Sequence, residues 1–276
     1  MSVDSQAPIR LFWWKAQPNF GDELSPRVVA HLSGRPVVHA APGDCEMLAL
    51  GSLLQVMSRN FARPRAYGSK PVIWGAGLLH PAPKRFVGNV EIALLRGPVS
   101  AALLDIPARG FGDPGLLADE VFPASTPRRD RIALVPHHSM MGDPALERVV
   151  ASNPALHLVD PRADAESVCA AISGSCHVIS ASLHGLVVAD AYGVPSTWLR
   201  PGAQSHLKFH DYAASVGRAM VAPIELDEVP AALGGLSQSD HLPHEDGIAR
   251  ARSDLKDSFP ARFRAVTDTA RRTVRA

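Results

Sequence analysis

Residues 176–195 read CHVISASLHGLVVADAYGVP. Cys176 to Ala181 is a short apolar run of strand type. Ser182 stands where a helix N-cap belongs, and the helix that follows runs to a glycine stop at Gly193. A strand that turns directly into an apolar helix is half of a β/α unit. In open parallel sheets, ligands collect at that turn, outside the carboxyl ends of the strands.

Working outward, the same alternation recurs. IALVPHH (Ile132 to His138) reads as a strand, PALERVVASN as a helix, LHLVD (Leu156 to Asp160) as a strand and AESVCAAISG as a helix, while PSTWLR (Pro195 to Arg200) closes the series. Nearer the start, strands are expected at Ile9 to Trp14, Pro36 to Val38, Pro71 to Gly77 and Val90 to Gly97, with helices at Glu23 to Gly34 and through PVSAALLD. Between the two series lies VFPASTPRRDR (Val121 to Arg131), with the Pro, Ser, Thr and charge of a linker. The chain of 276 residues suits roughly two domains. The expected class is α/β: Rossmann-like domains over 1–122 and 123–245 facing a cleft, then a basic helical tail over 246–276 that Pro260 breaks or kinks. That tail carries eight Arg and Lys against four Asp. A solvated amphipathic helix packed on a domain explains this, and so does weak peripheral contact with anionic head groups at the inner membrane surface.

Composition narrows the function. With 46% hydrophobic and 20% charged residues the chain builds sizeable cores, and 28 basic against 27 acidic residues is not the balance of a dedicated nucleic-acid binder. Three cysteines exclude a disulfide scaffold, and none stands in a CxxC pair that would hold zinc. The first residues do not read as a signal peptide, and no apolar run is long enough for a bilayer. A cytoplasmic enzyme-sized protein is expected.

The residues able to carry chemistry sit at strand ends. A helix N-terminus exposes unpaired N–H groups and attracts anions, so Ser182, His184 and Gly185 are candidates to meet a phosphate or carboxylate. His184 is also able to exchange a proton there, although a capping His packed on the strand is the simpler alternative. Asn19, Gly21 and Asp22 open the first helix, where plain capping competes with hydrogen bonds to ligand hydroxyls. Gly75 and Gly77 end a strand and allow close backbone approach. Arg96, at another strand end, suits a planar anion. His137 and His138 end a strand whose alternation lets at most one of them enter the site. Arg200 and Lys208 add positive charge after the last strand. His206 and His210 could share a helix face at i, i+4, but no nearby carboxylate set compels a metal reading, so no metal is expected. Trp13, Trp14, Trp74 and Trp198 fall on expected strands and read as core, with a cleft-edge Trp able to stack on a sugar.

Seven motifs then occur in a telling order: NFGDELS (Asn19 to Ser25), VIWGAG (Val72 to Gly77), LRGPVSAALL (Leu95 to Leu104), GDPGLL (Gly112 to Leu117), LVPHH (Leu134 to His138), ISASLHGLVVADAYGVP (Ile179 to Pro195) and KFHDYAASVG (Lys208 to Gly217). The set resembles the polysaccharide pyruvyl transferase family over roughly Ile9 to Gly217. The resemblance implies a GT-B-like fold and transfer of a pyruvyl group from phosphoenolpyruvate to a sugar of a polysaccharide or lipid-linked precursor. The product is a ketal and phosphate is released. Phosphoenolpyruvate is then a co-substrate, with no cofactor besides. The first half is the expected acceptor side and the second the phosphoenolpyruvate side. His184 and Arg96 are the expected catalytic residues, while Asn19, Asp22 and His137 hold or deprotonate the acceptor. Family members often carry Arg immediately before the Leu-His of the sixth motif. Here that residue is Ser182, leaving Arg96 and Arg200 as the nearest substitutes. The alternatives are a GT-B-type nucleotide-sugar glycosyltransferase and a non-catalytic glycan-binding protein of polysaccharide assembly.

Overall fold

A computed structural model describes residues 7–64, 68–124, 127–220, 222–236 and 241–265. The chain is an α/β protein with two parallel sheets. The first contains β1 (Ile9–Phe12), β2 (Val37–His39), β3 (Met47–Leu48), β4 (Val72–Trp74) and β5 (Glu91–Leu94), in the order β2-β1-β3-β4-β5. The second contains β6 (Arg129–Val135), β7 (Leu156–Leu158), β8 (Ser175–Ser180) and β9 (Ser196–Trp198), in the order β7-β6-β8-β9. Every strand pair is parallel. Helices supply the crossovers and flanks: α1 (Phe20–Ser33), α2 (Leu54–Asn60), α3 (Pro98–Leu104), α4 (Ala118–Val121), α5 (Pro144–Ala151), α6 (Ala165–Ser173), α7 (Leu183–Ala191), α8 (Leu207–Val216), α9 (Val229–Ala232) and α10 (Glu245–Ser258).

The opening stretch forms β8 and α7 as its pattern demands. Helix α7 has no polar face: Leu183, Leu186, Val187, Val188 and Ala189 are all buried, which places it inside the molecule. The element edges differ from expectation for local reasons. β1 stops at Phe12, so Trp13 and Trp14 lie beyond it. Helix α1 starts at Phe20 because Asn19 caps it, its Oδ1 accepting from Gly21 N–H at 2.9 Å. At the other end Gly34 adopts the left-handed conformation (φ 66°) and donates to Ala30 O.

Past β9 the chain crosses back to the first sheet. One apolar core holds Ile9, Leu11 and Trp74 from the first half together with Leu186 and Phe209, and with Leu255 from α10. Trp74 is fully buried and its Nε1 donates to Leu255 O at 3.0 Å. Trp198 is buried too, stacked on Phe209. Much of the tail's charge is answered by the first half: Arg252 pairs with Asp119 and Glu120, Lys256 with Glu120, and Arg262 with Glu91. Such half-exposed pairs contribute about 0–1 kcal/mol each, so the apolar face does most of the holding. Pro260 follows the end of α10, and residues 266–276 of the expected tail lie outside the described residues, as do 125–126 of the expected linker.

Candidate active site

The first turns of α1 and α7 meet at a cavity of about 280 Å³. Asn19, Asp22, His137, Ser182, His184 and Lys208 all line it, drawn from both halves of the chain. The contact between the two helices is close. A methyl group on Gly21 would lie 2.0 Å from His184 Nδ1, so only glycine admits the imidazole there.

His184 is largely buried, with its side chain 13% exposed. Its Nε2 lies 3.9 Å from Asp113 Oδ2, and among the described residues neither atom has a hydrogen-bond partner. Burial, aided by the charges of Lys208 and Arg96, pushes His184 down to about 3, so the ring is neutral near pH 7. Burial pushes Asp113 up to about 6, opposed by Arg96 and by the Gly115 N–H that its Oδ1 accepts at 2.9 Å. Asp113 belongs to the GDPGLL motif, but no sequence signal set it opposite His184.

Asp22 and Lys208 form a second unusual couple. Their ordinary values are 3.8 and 10.5, yet burial brings Asp22 up to about 7 and Lys208 down to about 8. Lys208 opposes the first shift and Asp22 the second, while Arg96 adds to the lowering of Lys208. Both groups are thus brought towards neutral pH, the pattern of groups that handle protons in active sites.

His137 and His138 both line the cavity, against the expectation that only one would. The reason is that β6 ends at Val135, so strand alternation no longer applies two residues later. Their rings lie 4.0 Å apart between centroids. His137 Nδ1 is 2.7 Å from Ser139 Oγ, and burial, with help from His138 and Lys208, takes it down to about 4.

The other expected site residues stand behind the wall or away from it. Arg96 is fully buried. Its Nε donates to Asp211 Oδ2 (3.0 Å), its Nη1 to Ser52 Oγ (2.9 Å) and its Nη2 to Leu78 O (2.8 Å). It reaches the cavity only through Ser52 and through its charge. Gly77 makes room for that guanidinium, since a Cβ would lie 2.4 Å from Arg96 Cζ. Gly75 backs onto Pro114 with φ at 83°, and Gly185 sits against Ser180 Oγ. Arg200 is paired with Glu225 and does not line the cavity. Ser182 occupies the N-cap position of α7, but its side chain makes no cap hydrogen bond. Ser180 Oγ fixes the turn instead, accepting from Ser182 N–H at 3.0 Å and donating to Val135 O. Trp14, read mainly as core, lines the cavity, and so do Gln55, Arg59 and Gln204, which sequence reading missed. Arg59 is exposed on α2 and has no counter-ion among the described residues. No motif marks it.

A family model described as polysaccharide pyruvyl transferase matches residues 19–202. The succinoglycan biosynthesis protein ExoV of Rhizobium meliloti (strain 1021) is 28% identical over 130 residues, which are 46% of this chain. The chain thus spans 41% of the length of that relative. Two solved structures are distantly similar. The glycotransferase of kitacinnamycin is 14% identical with a TM-score of 0.34, over 84% of this chain and 69% of its own. The calicheamicin glycosyltransferase CalG4 is 12% identical with a TM-score of 0.35, over 84% and 74%. Among the described residues no helix is long and apolar enough to cross a membrane.

Proposed function

The chain belongs to the polysaccharide pyruvyl transferase family, and from that premise we propose that it transfers the pyruvyl unit of phosphoenolpyruvate to a sugar of an exopolysaccharide or its lipid-linked precursor. Two hydroxyls of the sugar become bridged by a ketal and phosphate leaves. The observation that carries the proposal is the meeting of His184, Lys208 and Asp22 on one cavity whose walls come from both halves. The proposal treats 1–122 and 123–245 as Rossmann-like units facing that cavity in a GT-B-like manner, with 246–276 as the tail. Both sheets being parallel supports it.

Phosphoenolpyruvate is an anion with a carboxylate and a phosphate. Lys208, Arg59 and the N–H groups at the start of α7 offer it positive charge and donors. Arg59 and Lys208, rather than the buried Arg96 or the paired Arg200, take the place of the arginine that Ser182 lacks. The arriving negative charge raises His184 from its low ligand-free value, so the imidazole begins as a base and becomes an acid only with the co-substrate in place. It accepts the proton of the attacking hydroxyl and delivers one to the methylene carbon. The C2 cation so formed is captured by that hydroxyl oxygen. The C–O bond to phosphate then breaks, and the second hydroxyl closes the ketal. Of the two hydroxyl protons, one ends on the new methyl group and one on phosphate. Asp22, titrating at about 7, accepts the second on the way.

The test is phosphate release and ketal formation from phosphoenolpyruvate with an aryl or lipid-linked glycoside. Both are expected in one-to-one ratio. Turnover of a nucleotide sugar in place of phosphoenolpyruvate would overturn the proposal in favour of a glycosyltransferase, and glycan binding without turnover would favour a binding protein.

A further inference from the structure

Beside the main cavity lies a second, more open hollow of about 290 Å³. Trp13, Trp14, Gln17, Glu23 and Arg162 are among the residues lining it. Trp14 and Asn19 line both hollows, so the two adjoin at these residues. We propose that this groove binds the glycosyl unit adjacent to the one being modified, with Trp14 as its stacking face.

Three observations converge on a sugar as the occupant. Trp14 is 48% exposed, the most exposed large hydrophobic side chain among the described residues. An indole left in water at the edge of a cavity suits the apolar C–H face of a pyranose ring, since it is large and rigid and carries a polar edge. Its neighbour Trp13 is half-buried, packs on the core and is held edge-on by His39 at 4.7 Å, which keeps the floor in place. The rim is polar and planar. Arg162 is laid flat by Asp160, with Nε at 2.9 Å and Nη2 at 2.7 Å from its oxygens, and its Nη1 makes no hydrogen bond among the described residues. Glu23 is fixed by Ala165 N–H at 3.1 Å, and Gln17 completes the set. Forked donors and acceptors of this kind match vicinal hydroxyls. Arg162 is paired with Asp160 and the Glu23 carboxylate lies in the lining beside Lys15, so the groove is not a concentrated cationic site and suits a polyol.

The groove also sits on the seam between the halves. One wall is the segment after β1, and the other is Arg162 and Ala163, with Phe20 N–H donating to Pro161 O at 2.9 Å between them. An acceptor lying there orients its terminal sugar with respect to both sides of the main cavity.

This inference rests on the acceptor being a glycan, and the experiment separates the two. The ratio of kcat/KM for an acceptor of two or three sugars to that for a single-sugar glycoside is measured in the native protein, in Trp14→Ala and in Arg162→Ala. The native ratio is expected well above one and falls about tenfold in Trp14→Ala, and less in Arg162→Ala. Melting temperatures confirm folding. An unchanged ratio in both variants, with phosphoenolpyruvate still consumed, overturns the groove and leaves the transferase. In parallel, tryptophan fluorescence is titrated with the longer oligosaccharide alone. Quenching that disappears in Trp14→Ala, with no acceptor consuming phosphoenolpyruvate, keeps the groove and removes the transferase. No quenching in the native protein counts against the groove.

Discussion

Two helices begin at the cavity, and they are finished differently. Helix α1 satisfies itself: Asn19 Oδ1 takes the Gly21 N–H, and Asp22 and Glu23 answer the positive end of the helix. Helix α7 has no side-chain cap and no acidic residue in its first turn. The first N-terminus therefore has little to offer an anion, and the second has free donors beside Lys208. The contrast divides the labour of the cavity. On the proposed function, the free α7 N-terminus and Lys208 serve the anion together with Arg59, and the α1 side serves the hydroxyls.

Breaking the contact between the two N-termini has the largest expected effect. His184→Ala is expected to lower turnover at least about 100-fold, the lower range for a general acid or base. Gly21→Ala is expected to follow it, because the added methyl displaces the ring. Near-normal turnover in a folded His184→Ala protein would remove the imidazole from the chemistry. Giving α7 the kind of cap that α1 has comes next. Ser182→Asp is expected to raise the KM for phosphoenolpyruvate about tenfold by filling the free N–H groups with a carboxylate, while the melting temperature holds or rises. A KM that does not move would mean the anion binds elsewhere. The converse change, Asn19→Ala, removes the cap of α1 and is expected to cost about 1 kcal/mol of stability in denaturant melts. A variant as stable as the native protein would show that the cap contributes nothing.

A further effect is one of pH. Asp22 is raised in the fold from 3.8 to about 7, so its contribution to stability is present below about pH 4 and is lost as pH rises towards 7. Asp22→Asn cannot lose it. The stability of Asp22→Asn relative to the native protein is therefore expected to climb between pH 4 and 7 and then level off. A difference that stays constant over that range would mean Asp22 ionises normally.

The β/α alternation was legible because it is written locally: apolar runs, caps and glycine stops predict β8 and α7 closely. What misled were features settled by distant residues. Arg96 reads as a ligand-facing arginine at a strand end, but Asp211, 115 residues later, arrives on α8 and buries it. Trp14 reads as strand core, yet β1 ends two residues sooner and leaves it in water. His137 and His138 share the cavity because a strand end cannot be placed to one residue from composition. Asp113 was visible only as part of a turn, since its neighbour His184 belongs to the other half. Arg59 carries no signal at all: an exposed arginine on a helix is common, and only the fold puts it at the cavity.

Helix α8 has one more consequence. Asp211 fastens it to Arg96 on the first half, and Tyr212 donates to Asp190 Oδ2 of α7 at 2.7 Å on the second. Lys208 rides at its start. The helix is thus a cross-brace bolted at both ends, with the cavity's main cation mounted on it. Any opening between the two halves would have to part the fully buried Arg96–Asp211 pair or the Tyr212–Asp190 hydrogen bond. The same brace therefore fixes where Lys208 stands relative to both halves, with Trp14 and Arg59 elsewhere on the cavity lining.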